Sequence, residues 1–266
     1  IAAARRIAAR LSALGIAVLR FDFTGLGHSE GEFANTGFSA NVADIVAAAA
    51  HLEGRGEAPQ LLVGHSLGGA AVLAAAGRIA SARAVAVIGA PADPAHVLGH
   101  LGASVETIRD EGTAEVSLAG RPFRISRAFV EDIESATLHD CIATMKRALL
   151  ILHAPRDETV GIDNASAIFT AAKHPKSFVS LDGADHLLTR AEDAEYAAET
   201  IAAWAPRYLD MAEPEAPAAD LPEGVTRVSE AGRGTFLQDV VFGAGRPLMQ
   251  ADEPPSVGGE GRGPSP

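Results

Sequence analysis

The sequence predicts an α/β chain built on a doubly wound, mostly parallel sheet. Short apolar strands alternate with helical stretches through most of its length. Two of those strands, Arg83–Ala90 (RAVAVIGA) and Ala148–His153 (ALLILH), are almost continuously apolar, as strands covered on both faces are. Between Leu61 and Gly69 (LLVGHSLGG) a strand turns directly into a small-residue helix with a serine at the corner.

Taken in order, Ile1–Ala13 reads as a helix that opens without a cap and closes at Leu14-Gly15. Ile16–Phe23 (IAVLRFDF) is β-branched and apolar and is expected to be a strand. A Gly-rich polar loop to Gly37 follows, then a helix over Phe38–Gly54, with Ser39 as its candidate cap. Gln60–Val63 is a strand and Leu67–Ala80 a helix. After Pro91 the alternation lapses for some fifty residues. There Ala95–Arg109 reads as helical, Ala114–Arg127 as a hairpin with a Gly turn, and the rest as helix. Residues 92–146 are therefore expected to form an insertion capping an active site. The alternation resumes with strand Ala148–His153, helix Ile162–Lys173, strand Ser177–Leu181 and an amphipathic helix over Ala191–Leu209. Residues 210–224 are Pro, Ala and acid and read as a linker. Val225–Val228 and Thr235–Val241 read as a hairpin turning near Ala231-Gly232, and the Gly/Pro stretch to Pro266 as loop.

Composition narrows the function. Of 266 residues 47% are hydrophobic and 5% aromatic, and the net charge is −12. An acidic chain with few aromatics is a poor nucleic-acid binder. Residues 1–209 hold 18 basic and 24 acidic side chains; residues 210–266 hold 4 and 10. The last fifth thus carries half the excess negative charge and is expected to be a different kind of segment. Cys141 is the only cysteine, which excludes an internal disulfide and fits a reducing, cytoplasmic location. No apolar run is long enough to span a membrane. No His-x-x-x-His pair sits on a helix, and neither a metal nor a cofactor is expected.

Gly64-His65-Ser66-Leu67-Gly68 is a Gly-x-Ser-x-Gly pattern at a strand–helix turn, a nucleophile elbow. Gly64 and Gly68 are expected to leave room for the strained serine backbone. The pattern alone is weak: Gly27-His28-Ser29-Glu30-Gly31 repeats it, in a loop with no helix behind it. Context selects Ser66. A serine hydroxyl needs a base and an acid that orients the base, in chain order Ser, acid, His, each beyond the C-terminal end of a strand. Asp157 follows strand 148–153 and His186 follows strand 177–181. Glu158 is the rival acid. Asp185, His153 and His28 are weaker candidates by adjacency, strand position and chain order. Leu67 N–H is one expected oxyanion donor. The second is expected from a loop upstream of Ile1.

On these residues Ile1–Leu209 resembles the α/β-hydrolase family, in its serine-aminopeptidase and esterase-like branch. RFDFTGLGHSEG looks like the loop after that fold's fourth strand, LLVGHSLGG its elbow, LLILHAPRDETV its acid strand and SLDGADHLL its histidine loop. The resemblance implies that the first strands lie upstream of Ile1. ADEPPSVGGEGRGPSP resembles the opening of OsmC-like domains, implying a bifunctional hydrolase/OsmC fusion truncated at both ends. A homodimer through the OsmC-like part would follow. The implied activity is hydrolysis of an ester, thioester or amide of a small apolar acyl substrate; Phe123 and Phe129 of the cap suggest the apolar pocket. The alternative is a non-catalytic platform for a thiol peroxide reductase whose reactive cysteines are not in this chain.

Overall fold

The computed structural model describes all residues except 1, 33, 35, 100, 119–120, 211–220, 223, 232–235, 243–248, 262 and 264–266. Most of the expected linker, the Gly turn at 119–120, the Gly232 turn and part of the Gly/Pro tail lie outside the described residues. The chain divides into two compact units, Ile1–Ala8 with Leu19–Leu209, and Ala9–Val18 with Asp210–Pro266.

The larger unit is built on four parallel strands. They are β1 (Leu61–His65), β2 (Ala84–Ile88), β5 (Ala148–His153) and β6 (Lys176–Ser180), in the order β1-β2-β5-β6. Register runs from Leu61 opposite Ala84 to His65 opposite Ile88, from Ala84 opposite Ala148 to Ile88 opposite Leu152, and from Leu149 opposite Lys176 to His153 opposite Ser180. All of β2 and β5 is buried, which accounts for their unbroken apolar sequences. The parallel arrangement brings the C-terminal ends of all four strands to one edge.

Helices α2 (Phe38–Gly54), α3 (Leu67–Ala75), α8 (Asp163–Ala171) and α9 (Ala191–Trp204) belong to this unit. In α2, Phe38, Val42, Ile45 and Ala49 are buried at helical spacing. Ala70, Ala71, Leu73 and Ala75 of α3 are fully buried, so its small residues let it sit close against the sheet. Helix α1 (Ala2–Ala13) precedes them and buries Ala3, Ile7 and Leu11.

Between β2 and β5 come α4 (His96–Gly99), α5 (Ser104–Glu111), the antiparallel pair β3 (Thr113–Leu118) and β4 (Arg121–Ser126), α6 (Arg127–Ser135) and α7 (Leu138–Thr144). Val105, Ile108, Val116, Ile125, Phe129, Ile133 and Ile142 from this excursion join the same hydrophobic cluster as β2 and α3. The excursion is packed into the core rather than looped out from it. Helix α6 is capped by Ser126, whose Oγ accepts from Phe129 N at 3.3 Å.

Four expectations are corrected. Ile16–Phe23 forms no strand among the described residues, and Val18, Leu19 and Phe21 are exposed; a strand needs a ladder partner, which β-branched composition alone does not supply. The single helix over Ala95–Arg109 is two, because Gly102 adopts φ +53 between them. Ser39 is not a cap but the second residue of α2. Asp132 of α6 fills that role, accepting from Ser39 N at 2.8 Å and from the Ser39 hydroxyl. Phe129 is core, 4% exposed, and so is taken up by packing rather than left to line a pocket.

The smaller unit carries a three-stranded antiparallel sheet of β7 (Thr226–Glu230), β8 (Gln238–Phe242) and β9 (Met249–Ala251), in that order. The hairpin expected from the sequence gains a third strand. Among the described residues no helix is long and apolar enough to cross a membrane.

Candidate active site

Strand β1 enters the corner at His65, and Ser66 N continues the ladder by donating to Ile88 O at 2.8 Å. Ser66 then adopts φ 55, ψ −130, outside the ordinary regions for a side-chain-bearing residue. Helix α3 begins at once, with Gly69 N donating to Ser66 O at 2.8 Å. The turn is tight enough that a Cβ on Gly64 would lie 2.4 Å from Gly68 O and 2.6 Å from Val72 Cγ2. One on Gly69 would lie 2.6 Å from Ala90 Cβ, whereas one on Gly68 meets nothing within 4 Å. Gly64 and Gly69 are thus the glycines that close packing demands, and the space expected at Gly68 is not a steric need. Leu67 is the first residue of α3, so its N–H has no intrahelical partner.

The three residues drawn from three strand ends come together. His186 Nε2 lies 2.9 Å from Ser66 Oγ, and His186 Nδ1 lies 2.7 Å from Asp157 Oδ2. The Nδ1–H donates to the carboxylate, which leaves the Nε2 lone pair facing the hydroxyl. The Asp157 side chain is fully buried and that of His186 nearly so. Burial raises the Asp157 pKa, but the N–H bonds from Val160 and Thr159 and the bond from His186 outweigh it and hold the carboxyl below its usual range. Those N–H groups reach Asp157 Oδ1 at 2.9 Å each. Glu158 has no such placement, and Asp185 instead accepts from Thr189 N at 2.9 Å, which helps hold its own pKa down.

His153 ends β5 with no exposed surface; its Nε2–H donates to Val160 O at 2.7 Å. His28 lies in the loop of the second Gly-x-Ser-x-Gly, where its N–H donates to Asp22 Oδ2 at 3.1 Å and the Ser29 hydroxyl donates to Asp22 O. That loop is held by local bonds. Among the described residues no group of three or more His, Cys, Asp or Glu is gathered to hold a metal.

Two contributors were not foreseen. His65, expected only as an elbow residue, donates from Nε2 to the carbonyl oxygen of His186 at 2.6 Å. Burial, together with the neighbouring His186, lowers the His65 pKa below 6.5 despite that bond. Gly89, just after β2, has φ +53, and a Cβ there would lie 3.3 Å from His186 Nδ1 and 3.4 Å from Asp157 Oδ2. The glycine leaves the floor under the His186–Asp157 pair bare. The sequence signal was present in Gly89-Ala90-Pro91, a glycine and a proline ending a buried strand, but nothing local said what stood above it.

The family described as serine aminopeptidase, S33, matches residues 2–106. A curated relative, the mouse palmitoyl-protein thioesterase ABHD10, mitochondrial, is 34% identical over 155 residues, covering 55% of this chain and 50% of its own. This chain thus spans about half the length of that relative. The solved structure of mouse ABHD10 aligns at TM-score 0.61 and 26% identity, covering 77% of this chain and 84% of that one. The esterase domain of a Rhodothermus marinus protein aligns at TM-score 0.63 with 51% identity, over 77% of this chain and 80% of that structure. With a parallel sheet, a serine at the strand–helix corner and half its aligned residues shared with that esterase domain, this chain belongs to the α/β-hydrolase family of serine hydrolases.

Proposed function

We propose that this protein hydrolyses an ester or thioester of a small apolar acyl group through a covalent acyl-serine. The observation that carries the reading is the unbroken line Ser66 Oγ, His186 Nε2, His186 Nδ1, Asp157 Oδ2, at 2.9 and 2.7 Å, beginning at a strained serine. Ser66 Oγ attacks the acyl carbon while His186 Nε2 takes the hydroxyl proton. Asp157 fixes the imidazole tautomer and stabilises the imidazolium that forms. Leu67 N–H receives the developing oxyanion at the helix N-terminus. His186 then gives its proton to the leaving alcohol or thiol as the carbon–heteroatom bond breaks. Water, deprotonated by the same nitrogen, releases the acid and restores Ser66. Residues 92–146 shape the acyl pocket as a cap. Similarity to the Rhodothermus marinus esterase domain and to the mouse thioesterase supports an acyl ester or thioester as substrate.

Residues 225–266 are read, on resemblance, as OsmC-like; they hold no cysteine, so no peroxide chemistry is assigned to them.

The test is labelling by a fluorophosphonate together with turnover of p-nitrophenyl esters of graded chain length. Wild type labels and turns over, and Ser66→Ala does neither. Equal labelling of both proteins, or none of either, overturns the reading.

A further inference from the structure

Both residues that hold Asp157 Oδ1 are themselves held by histidines. Thr159 N–H donates to Oδ1 at 2.9 Å, and Thr159 O accepts from His96 Nε2 at 2.9 Å. Val160 N–H donates to the same oxygen at 2.9 Å, and Val160 O accepts from His153 Nε2 at 2.7 Å. The carbonyl of Thr159 and the N–H of Val160 belong to one planar peptide, so His96 and Asp157 grip its two ends. His153 fixes the next peptide, on the other side of Val160.

The two rings come from different parts of the fold. His96 opens α4, the first helix of the excursion after β2, and His153 is the last residue of β5. Against carbonyl oxygens both rings must donate. His153 Nδ1 is buried with no partner among the described residues. A residue there only for packing would not need a ring nitrogen left orphaned in the core. The donor on its other side is what the position uses. A hydrogen bond accepted at one end of a peptide also strengthens the bond donated at the other.

We propose that His96 and His153 are positioning residues for Asp157. They clamp the turn Thr159-Val160 so that its two N–H groups aim the carboxylate at His186. The proposal rests on the triad reading above, and its first readout is independent of turnover.

The far-downfield proton resonance of His186 Nδ1–H, recorded on the full chain with labelled histidine, reports the Asp157 contact directly. Both His153→Leu and His96→Ala are expected to shift it upfield; His153→Gln, whose amide reaches as far as Nε2, restores it. For kcat, His153→Leu lowers it between about 10- and 100-fold with KM within about twofold, the range expected when a reacting group is misplaced. In an Asp157→Asn background the same substitution adds little further loss. If His153→Leu does not fold, His153→Gln against His153→Asn decides, since the shorter amide cannot reach Val160 O. An unmoved resonance in either His153→Leu or His96→Ala, equal behaviour of Gln and Asn, or a full additional loss in the Asp157→Asn background overturns the clamp. A protein whose resonance responds but which shows no Ser66-dependent turnover keeps the clamp and loses the hydrolase reading.

Discussion

His65 and His186 are joined ring to backbone: the Nε2–H of His65 donates to the carbonyl oxygen of His186 at 2.6 Å. The residue before the serine therefore also holds the loop that carries its partner imidazole. His65→Leu removes the donor and leaves a part-buried carbonyl without it. The expected result is a kcat lowered by about 10- to 100-fold with KM little changed, because the ring shifts relative to Ser66 and not relative to the cap. Steady-state kinetics on a p-nitrophenyl ester checks it; a change confined to KM would show that His65 acts in substrate binding instead.

Gly89→Ala places a methyl about 3.3 Å from His186 Nδ1, on a backbone at φ +53 that side chains rarely adopt. Stability falls by about 1–2 kcal/mol from the backbone alone. Activity falls further than stability accounts for, since the methyl presses on the His186–Asp157 bond. Thermal unfolding and single-turnover labelling of the same sample separate the two effects. Gly68→Ala, where a Cβ meets nothing within 4 Å, is the matched control for fold and should leave the melting temperature nearly unchanged.

Acid should weaken the larger unit in two stages. The folded-state pKa of His65 lies below 6.5, so between 6.5 and that lower value the unfolded chain takes up a proton the folded chain refuses. Stability is therefore full above 6.5 and declines as pH falls through this window. Asp157 has its folded pKa below 3.8, so its contribution is full above 3.8 and is lost as pH falls toward the folded value. Denaturant midpoints from pH 8 to pH 3 should show the first decline absent in His65→Leu and the second absent in Asp157→Asn. A midpoint that rises on acidification reverses the sign and rules out both assignments.

Asp132→Ala removes the acceptor that binds Ser39 N and the Ser39 hydroxyl at the start of α2. A lost cap of this kind costs about 0.5–2 kcal/mol. For a unit of this size that is a fall of a few degrees in melting temperature, roughly 2–4 °C per kcal/mol. Calorimetry checks it.

The parts of the fold that could be read in advance are those set by short-range pattern. Continuous apolar runs mark β2 and β5, and helical spacing of Phe38, Val42 and Ile45 marks α2. The candidate site was readable because chain order and strand ends are themselves one-dimensional facts: Ser66, Asp157 and His186 each follow a strand. What could not be read depends on which backbone faces which. Nothing about IAVLRFDF tells whether a neighbour strand is there to pair with it. Nothing near Val160 says that His153 binds its carbonyl, or near Gly89 that an imidazole stands above it. Asp132 capping a helix 93 positions earlier has no local signature at all.

The parallel order β1-β2-β5-β6 also governs when the serine can become reactive during folding. Ser66 and His186 are 120 positions apart, and His186 and Asp157 are 29 apart. No local hairpin or helix can bring them together; the pairings of β1 to β2, β2 to β5 and β5 to β6 must all form first. Such non-local closures are the slow ones. Reactivity toward a fluorophosphonate should therefore appear last in refolding, after helical signal has returned, making Ser66 a chemical clock for completion of the sheet.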